Sequence, residues 1–290
     1  MSSIIFKNEK VTKSEWYEWF LNKWKEAGWT NISSNPSTDG DVMYSEGVNG
    51  DKTLYIGFSG SITDPNSTGI SLKIRHSRTY TPNEIYGNDG TFELTSGRNW
   101  WTEVVLHYNK GISSKDHIFS MWYYVTKNWG MFITDQNLVH GGRPSCFFVG
   151  QPEIELGPGD RTALIVAAST ASTSSDTIDN DVIYYTGNPF NTPIKNLKLN
   201  MYTGWADHSN SYLNYRGANQ NTAFGSTIVY GDSTGYKFQL DDSILITQKG
   251  AIKSTMNYNV NGQIYKFFNM YSSSSYDNSF YSSNIGIRIK

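Results

Sequence analysis

The first 58 residues constrain the fold most. Trp16, Trp19, Phe20 and Ala27 fall at i, i+3, i+4 and i+11, which is one face of an α-helix. Thr12 and Glu15 stand at capping-box spacing. Gly28, in Gly28-Trp29-Thr30, is a natural left-handed terminator. Trp24 lies at the edge of the stripe, so this pattern predicts it partly exposed. The stripe suits packing on the chain's own sheet; docking to a partner is the competing use. A polar Asn/Ser/Pro loop follows, and then two β-like runs, Asp41-Val-Met-Tyr-Ser45 and Thr53-Leu-Tyr-Ile-Gly-Phe58.

Beyond the helix, β patterning dominates. Runs at 70–76, 102–108, 118–126, 131–134 and 146–149 read as strands, separated by clusters such as Asp39-Gly40 and Asp64-Pro65-Asn66. Pro158-Gly159-Asp160 marks a tight turn. After it come an apolar run at 161–168 and a Ser/Thr/Asp stretch at 169–181 that reads as an exposed loop. Further strands are expected at 194–201, 226–230, 236–240, 244–248, 263–271 and 285–289. No fixed-period repeat occurs, which argues against a propeller or solenoid. The prediction is a mainly β protein, an antiparallel sandwich or jelly-roll-like fold with a short N-terminal helix. Residues 1–157 would hold the helix and a β-sandwich, and 161–290 a second β domain. A single domain across residue 160 fits the same pattern.

At 290 residues the chain can bury a large core without disulfide or metal staples. Its lone Cys146, in Ser-Cys-Phe-Phe-Val, excludes an intrachain disulfide and sits in a buried-strand context where a thiol is inert. The net charge of −2 offers no basic field, so no nucleic-acid partner is expected. No 18-residue apolar run exists, so no membrane insertion is expected. The N-terminus carries charge too early for a signal peptide core, and export by that route is not expected. Charged residues make up 17% and aromatics 15%, with 20 tyrosines. The polar surface must then come largely from Asn, Ser, Thr and Tyr. This suits outward strand positions, and also sugar contact or wet protein contacts.

Motifs of catalysis are weak. His140-Gly141-Gly142 resembles an oxyanion-hole segment, but no Gly-x-Ser-x-Gly elbow accompanies it. Asp39, Asp41, Asp241 and Asp242 lack the loop pattern of a calcium cage. His76, His107, His117, His140 and His208 show no zinc spacing. His107 is read on a solvated strand face. Neither a phosphate-binding glycine loop nor a dinucleotide fingerprint occurs. Glu93, Glu103, Glu153 and Glu155 are the carboxylates from which a glycosidase pair would be drawn. No catalytic residue, metal or cofactor is assigned, and the chain is read as a non-enzyme. For sugar binding, Trp100, Trp101, Trp122, Trp129, Trp205, Tyr212 and Tyr215 are stacking candidates. The loop-like segment with Trp205, Tyr212, Tyr215 and Arg216 is the best of them, because aromatics stand there beside Asp, Asn and Arg.

The stretch 24–58 resembles bacteriophage virion proteins from tails and baseplates. The likeness rests on an aromatic helix ending Ala27-Gly28-Trp29-Thr30, then Gly40-Asp-Val-Met-Tyr-Ser45 with Gly47, then Leu54-Tyr-Ile-Gly57. The run Gly262-Gln-Ile-Tyr-Lys-Phe-Phe-Asn-Met-Tyr271, with 285–290, resembles the last hairpin of many such proteins. Together these cover about a quarter of the chain. The resemblance implies a virion structural protein made in the host cytoplasm, set in a symmetric homo-oligomer, contacting other tail or baseplate proteins. It implies no catalytic residue. The alternatives are a receptor- or carbohydrate-binding module that meets a host surface glycan, and a polysaccharide-degrading enzyme. The loops at 169–181 and 204–217 are expected to meet neighbours.

Overall fold

The computed structural model describes residues 4–33, 40–61, 69–77, 80, 102–108, 116–135, 145–151, 154–155, 164–169, 182–186, 197–199, 225–226, 228–231, 235–239, 241–248, 256–269 and 283–290. The protein is mainly β and antiparallel, with one short N-terminal helix. One sheet orders β1 (Lys7–Thr12), β7 (Ile118–Val125), β8 (Trp129–Asp135), β9 (Ser145–Gly150), β11 (Leu164–Ser169) and β12 (Val182–Thr186). A second orders β2 (Thr30–Asn31), β3 (Asp41–Ser45), β4 (Leu54–Ser61), β5 (Gly69–Ser77) and β6 (Thr102–Tyr108). A third, C-terminal sheet orders β14 (Gly225–Ser226), β17 (Ile244–Gln248), β20 (Ser283–Arg288), β19 (Gln263–Asn269) and β18 (Asn257–Val260). A fourth joins β10 (Ile154–Glu155), β16 (Gly235–Gln239), β15 (Ile228–Gly231) and β13 (Leu197–Leu199). The segment around residue 160 lies outside the described residues. On its two sides β9 and β11 pair in the same sheet.

Helix α1 spans Trp16–Glu26. Thr12 is not its N-cap. Glu15 takes that position without a side-chain cap, and the Thr12 hydroxyl donates to the Glu15 carboxylate instead. A turn at residues 13–15 therefore separates β1 from the helix. The C-terminus closes as a Schellman motif. Trp29 N–H donates to the Trp24 carbonyl (3.1 Å) and Gly28 N–H to that of Lys25 (2.9 Å), with Gly28 at φ +94°. The hydrophobic contact that accompanies such a cap is Trp24 against Trp29, 5.0 Å apart and edge-to-face.

That contact revises the expected exposure of the stripe. Trp24 is fully buried, whereas Trp19 is half-buried. Trp16, Phe20, Leu21 and Trp24 form the buried face of α1. Phe20 touches Phe58 of the second sheet (4.9 Å) and Phe132 of the first (4.8 Å). Trp24 reaches the same two rings. The helix therefore packs on its own chain and closes a core shared by both sheets, with Met43, Ile56, Leu72 and Ile74 on one side and Met121, Tyr123, Phe147 and Val149 on the other. A Cβ on Gly130 would lie 2.7 Å from the Trp24 ring, so the helix approaches β8 where there is no side chain.

The central strands β8 and β9 of the first sheet are buried on both faces. Along β8, Met131, Phe132, Ile133 and Thr134 are all 0% exposed, and β9 is buried from Cys146 to Val149. Such continuous burial marks a middle layer. Its inner face meets α1 and the second sheet. Its outer face carries Trp122, Tyr124, Trp129 and Phe148, and there the C-terminal sheet lies against it through Trp122 and Phe268 (6.3 Å). Lys266 Nζ sits 5.5 Å from the Trp122 ring centre, a cation–π contact over the same seam.

The N-terminal residues join the layers. Phe6 N–H donates to the Arg288 carbonyl (2.8 Å), and the buried Arg288 Nε donates to the Ile4 carbonyl (2.6 Å). The chain then enters β1 and pairs with β7. At one end of the core, the two main sheets are tied by loops. Ser45 Oγ donates to the Lys127 carbonyl (2.6 Å), Val48 N–H to Asn128 Oδ1 (2.9 Å), and Trp29 Nε1 to the Thr126 carbonyl (2.7 Å).

Because Phe20 touches both sheets, Phe20→Ala leaves a cavity that neither can fill alone. It should lower the unfolding free energy by about 3–5 kcal/mol, whereas Asn22→Ala on the exposed side of α1 should change it by less than about 0.5 kcal/mol. Urea unfolding followed by tryptophan fluorescence measures both.

Candidate functional site

Trp122 and Trp129 are not free stacking platforms. Trp122 is half-buried under Phe268 and Lys266, and Trp129 is buried against Phe148. The carbohydrate candidates Trp205, Tyr212, Tyr215 and Arg216 lie outside the described residues, as do Trp100, Trp101, Glu93, Glu153 and His140. Glu103 and Glu155 stand in β6 and β10 by their backbone alone. The segments 170–181 and 204–217 are also outside the described residues.

Two of the aspartates considered as ion ligands are engaged in the fold. Asp41 accepts from the Tyr17 hydroxyl (2.8 Å) and from Asn31 Nδ2 (2.5 Å), beneath the core. Burial first, then the charge and hydrogen bond of Asp41, push the Tyr17 phenol far above its usual value. Asp241 Oδ1 accepts from Ser243 N–H (2.7 Å), which makes a short turn before β17. Among the described residues, no three His, Cys, Asp or Glu side chains gather as a metal site. Cys146 is buried, in the strand context expected for it.

A charged cluster sits where β1, α1 and β7 meet. Glu9 accepts from Trp19 Nε1 (2.6 Å) and from the Tyr123 hydroxyl, and pairs with Lys23 Nζ (3.2 Å). Lys23 also lies 5.5 Å from the Tyr123 ring centre and 5.7 Å from that of Trp19. Burial raises the Glu9 carboxyl, but the three hydrogen bonds and the Lys23 charge outweigh it and hold it below the ordinary carboxylate value. The arrangement fixes an edge strand to the helix.

A tyrosine row lies on the solvent side of the second sheet. Tyr44 and Tyr55 are cross-strand partners with ring centres 5.2 Å apart, and Tyr80 continues the row at 6.0 Å from Tyr55. All three are half-buried. Their interplanar angles of 35° and 37° make them a tilted ladder that stiffens the sheet face.

An open feature among the described residues is the β18–β19 hairpin at the rim of the C-terminal sheet. Asn257 pairs Lys266, Tyr258 pairs Tyr265, Asn259 pairs Ile264 and Val260 pairs Gln263. Asn261 and Gly262 form the turn at φ +51° and +82°, the two-residue geometry for which Asn-Gly is the preferred sequence. Asn259 Oδ1 also accepts from Gly262 N–H (2.8 Å). Sequence reading predicted β19 and missed β18; the Asn-Gly pair ahead of a known strand was the available signal. Tyr265 and Phe267 are buried on one face of this sheet, with Leu245, Tyr258 and Val260 half-buried around them. Asn257 and Asn259 are exposed, and Met256 is 48% exposed. This rim presents neutral side-chain amides and a small apolar margin.

No known family model matches the chain, and no curated protein matches it in sequence.

Because the folded Glu9 has a depressed pKa, its contribution is present above the unfolded value near 4.3 and is lost as pH falls through the lower folded value. Glu9→Gln should therefore cost about 1 kcal/mol at pH 7, a figure kept small because Glu9 is partly exposed, and progressively less as the pH falls below the ordinary carboxylate range. Chemical denaturation of both proteins across that range reads the difference.

Proposed function

We propose that this chain is a structural component of a bacteriophage virion, in the tail or baseplate, acting through protein contacts in a symmetric assembly. One observation carries the reading. The segment that resembles tail and baseplate proteins is an architectural unit. Trp24 and Trp29 lock the helix end, Met43 and Ile56 line the core, Phe58 meets the helix, and Ser45 ties the two main sheets at a loop. Shared residues of this kind point to a shared scaffold rather than a shared active site. Glu9, Asp41 and Asp241 support the same direction, since each is held in hydrogen bonds that build the fold. The reading places the protein in the virion, assembled from the host cytoplasm, with copies of itself and other tail proteins as partners.

The test is direct. Particles purified from cells carrying the encoding genome should contain the chain at a fixed copy number by quantitative mass spectrometry. Antibody-gold labelling should place it on the tail. A chain that is abundant in the lysate and absent from purified particles would end this reading.

A further inference from the structure

The outer edge of β18 has a definite hydrogen-bonding phase. Phe267 N–H donates to the Met256 carbonyl (3.2 Å), so residues 256 and 267 form a hydrogen-bonded pair of the antiparallel ladder. Such pairs alternate with non-bonded ones. Residues 258 and 260 are therefore the next to bond β19, and the main-chain N–H and C=O of Asn257 and Asn259 turn outward. Met256, Tyr258 and Val260 share one face of the strand, and Asn257 and Asn259 share the other.

Among the described residues, this short edge differs from the charged rim elsewhere in the fold. β1, at the rim of the middle sheet, bears Lys7, Glu9 and Lys10. β18 has no charge and no proline, and its pairing with β19 is regular. An exposed uncharged edge of this kind is a template for strand addition.

We propose that β18 pairs antiparallel with β18 of a second copy, about a twofold axis at Tyr258. The identity of the occupant follows from self-complementarity. With the axis at Tyr258, Asn257 faces Asn259 of the mate and Asn259 faces its Asn257, so each outward residue exchanges both main-chain bonds. Met256 faces Val260 of the mate on the apolar side. An axis at 257 or 259 would set only one of those two residues against its own counterpart and push the other beyond the strand. The two copies of Tyr258 meet at a closely spaced non-bonded pair. There they cover the rim of the Tyr265–Phe267 cluster, of which Tyr258 and Val260 are half-buried members. Two five-stranded sheets become one continuous sheet. The contact is small for a free dimer, which suits copies that are concentrated by a larger assembly. It deepens the assembly role proposed above, but its test uses the isolated full-length protein.

Cys146, the lone cysteine, is buried, so introduced thiols can be read cleanly. Asn257→Cys and Asn259→Cys are exposed changes on the face away from the aromatic cluster. Mixed in equal amounts under mild oxidation, the two proteins should form disulfide-linked dimers, because hydrogen-bonded partners have Cα atoms about 5.5 Å apart, within disulfide reach. Each variant alone should cross-link far less, since like positions lie out of register. Met256→Lys should weaken self-association about tenfold in a light-scattering concentration series, with the circular dichroism unchanged. Absence of cross-links in the mixture, equal cross-linking by either variant alone, or association unaffected by Met256→Lys would overturn the pairing. Absence of the chain from virions would overturn the proposed function and leave this register standing.

Discussion

Phe20 and Trp24 hold the architecture together because each touches both main sheets at once. A helix on one face of a sheet buries a stripe. This helix buries its stripe at the junction of two sheets, so its loss would expose both. The Schellman cap sets the direction in which the chain leaves, and the Trp24–Trp29 contact turns that exit into part of the core. The packing is costly in hydrogen bonds. Trp16 Nε1 and Trp24 Nε1 are buried without a hydrogen-bond partner, a loss of about 1–3 kcal/mol for each unsatisfied donor. Ring fit decides these positions, since burying an aromatic of this size contributes at least as much.

Polar interactions act at the seams between elements. Glu9 ties β1 to α1 and β7, Asn128 and Ser45 tie two loops, and Arg288 ties the C-terminal sheet to the residues ahead of β1. Each is a single side chain that reaches main-chain or side-chain groups from an element distant in sequence. The middle sheet requires them because it is sandwiched between other layers, and a register slip in it would misplace both. Apolar surfaces alone tolerate sliding, whereas directional bonds at the rim do not.

The helix, the β class and most strand positions were legible in the sequence, because periodicity and turn residues report local geometry. Four features were not. β1 reads as a charged segment, Lys-Asn-Glu-Lys, yet it is a strand because an edge can keep Lys7 and Lys10 in solvent while Glu9 bonds to the helix and Val11 enters the core. Trp24 was read as partly exposed, since a helical wheel assumes one packing partner and this helix has two. Trp122 and Trp129 are stacking candidates by sequence, which shows aromatic content but not what covers it. The runs Phe119-Ser-Met-Trp-Tyr-Tyr-Val125 and Cys146-Phe-Phe-Val149 place large side chains on both faces, which is the mark of a strand buried twice. The open edge at β18 was also invisible, because exposure of a strand rim depends on which strands end a sheet.

The same reasoning explains the sparse charge of the chain. A sheet covered on both faces has no solvent side on which to place Lys or Glu, so aromatic and aliphatic residues fill its alternate positions. Within that sheet the described strands carry charge on the rim strand β1 and at Asp135, the end of β8, and at the rim it has a second effect. At β1 it blocks strand addition by another chain, and the Glu9 bonds hold that strand against its own helix. At β18 the rim residues are neutral amides, which keep the edge soluble through hydrogen bonding to water yet place no like charges against an incoming strand. Two rims of one molecule thus follow opposite rules. In the proposed pairing, the neutral rim of β18 admits a second strand and the charged rim of β1 does not.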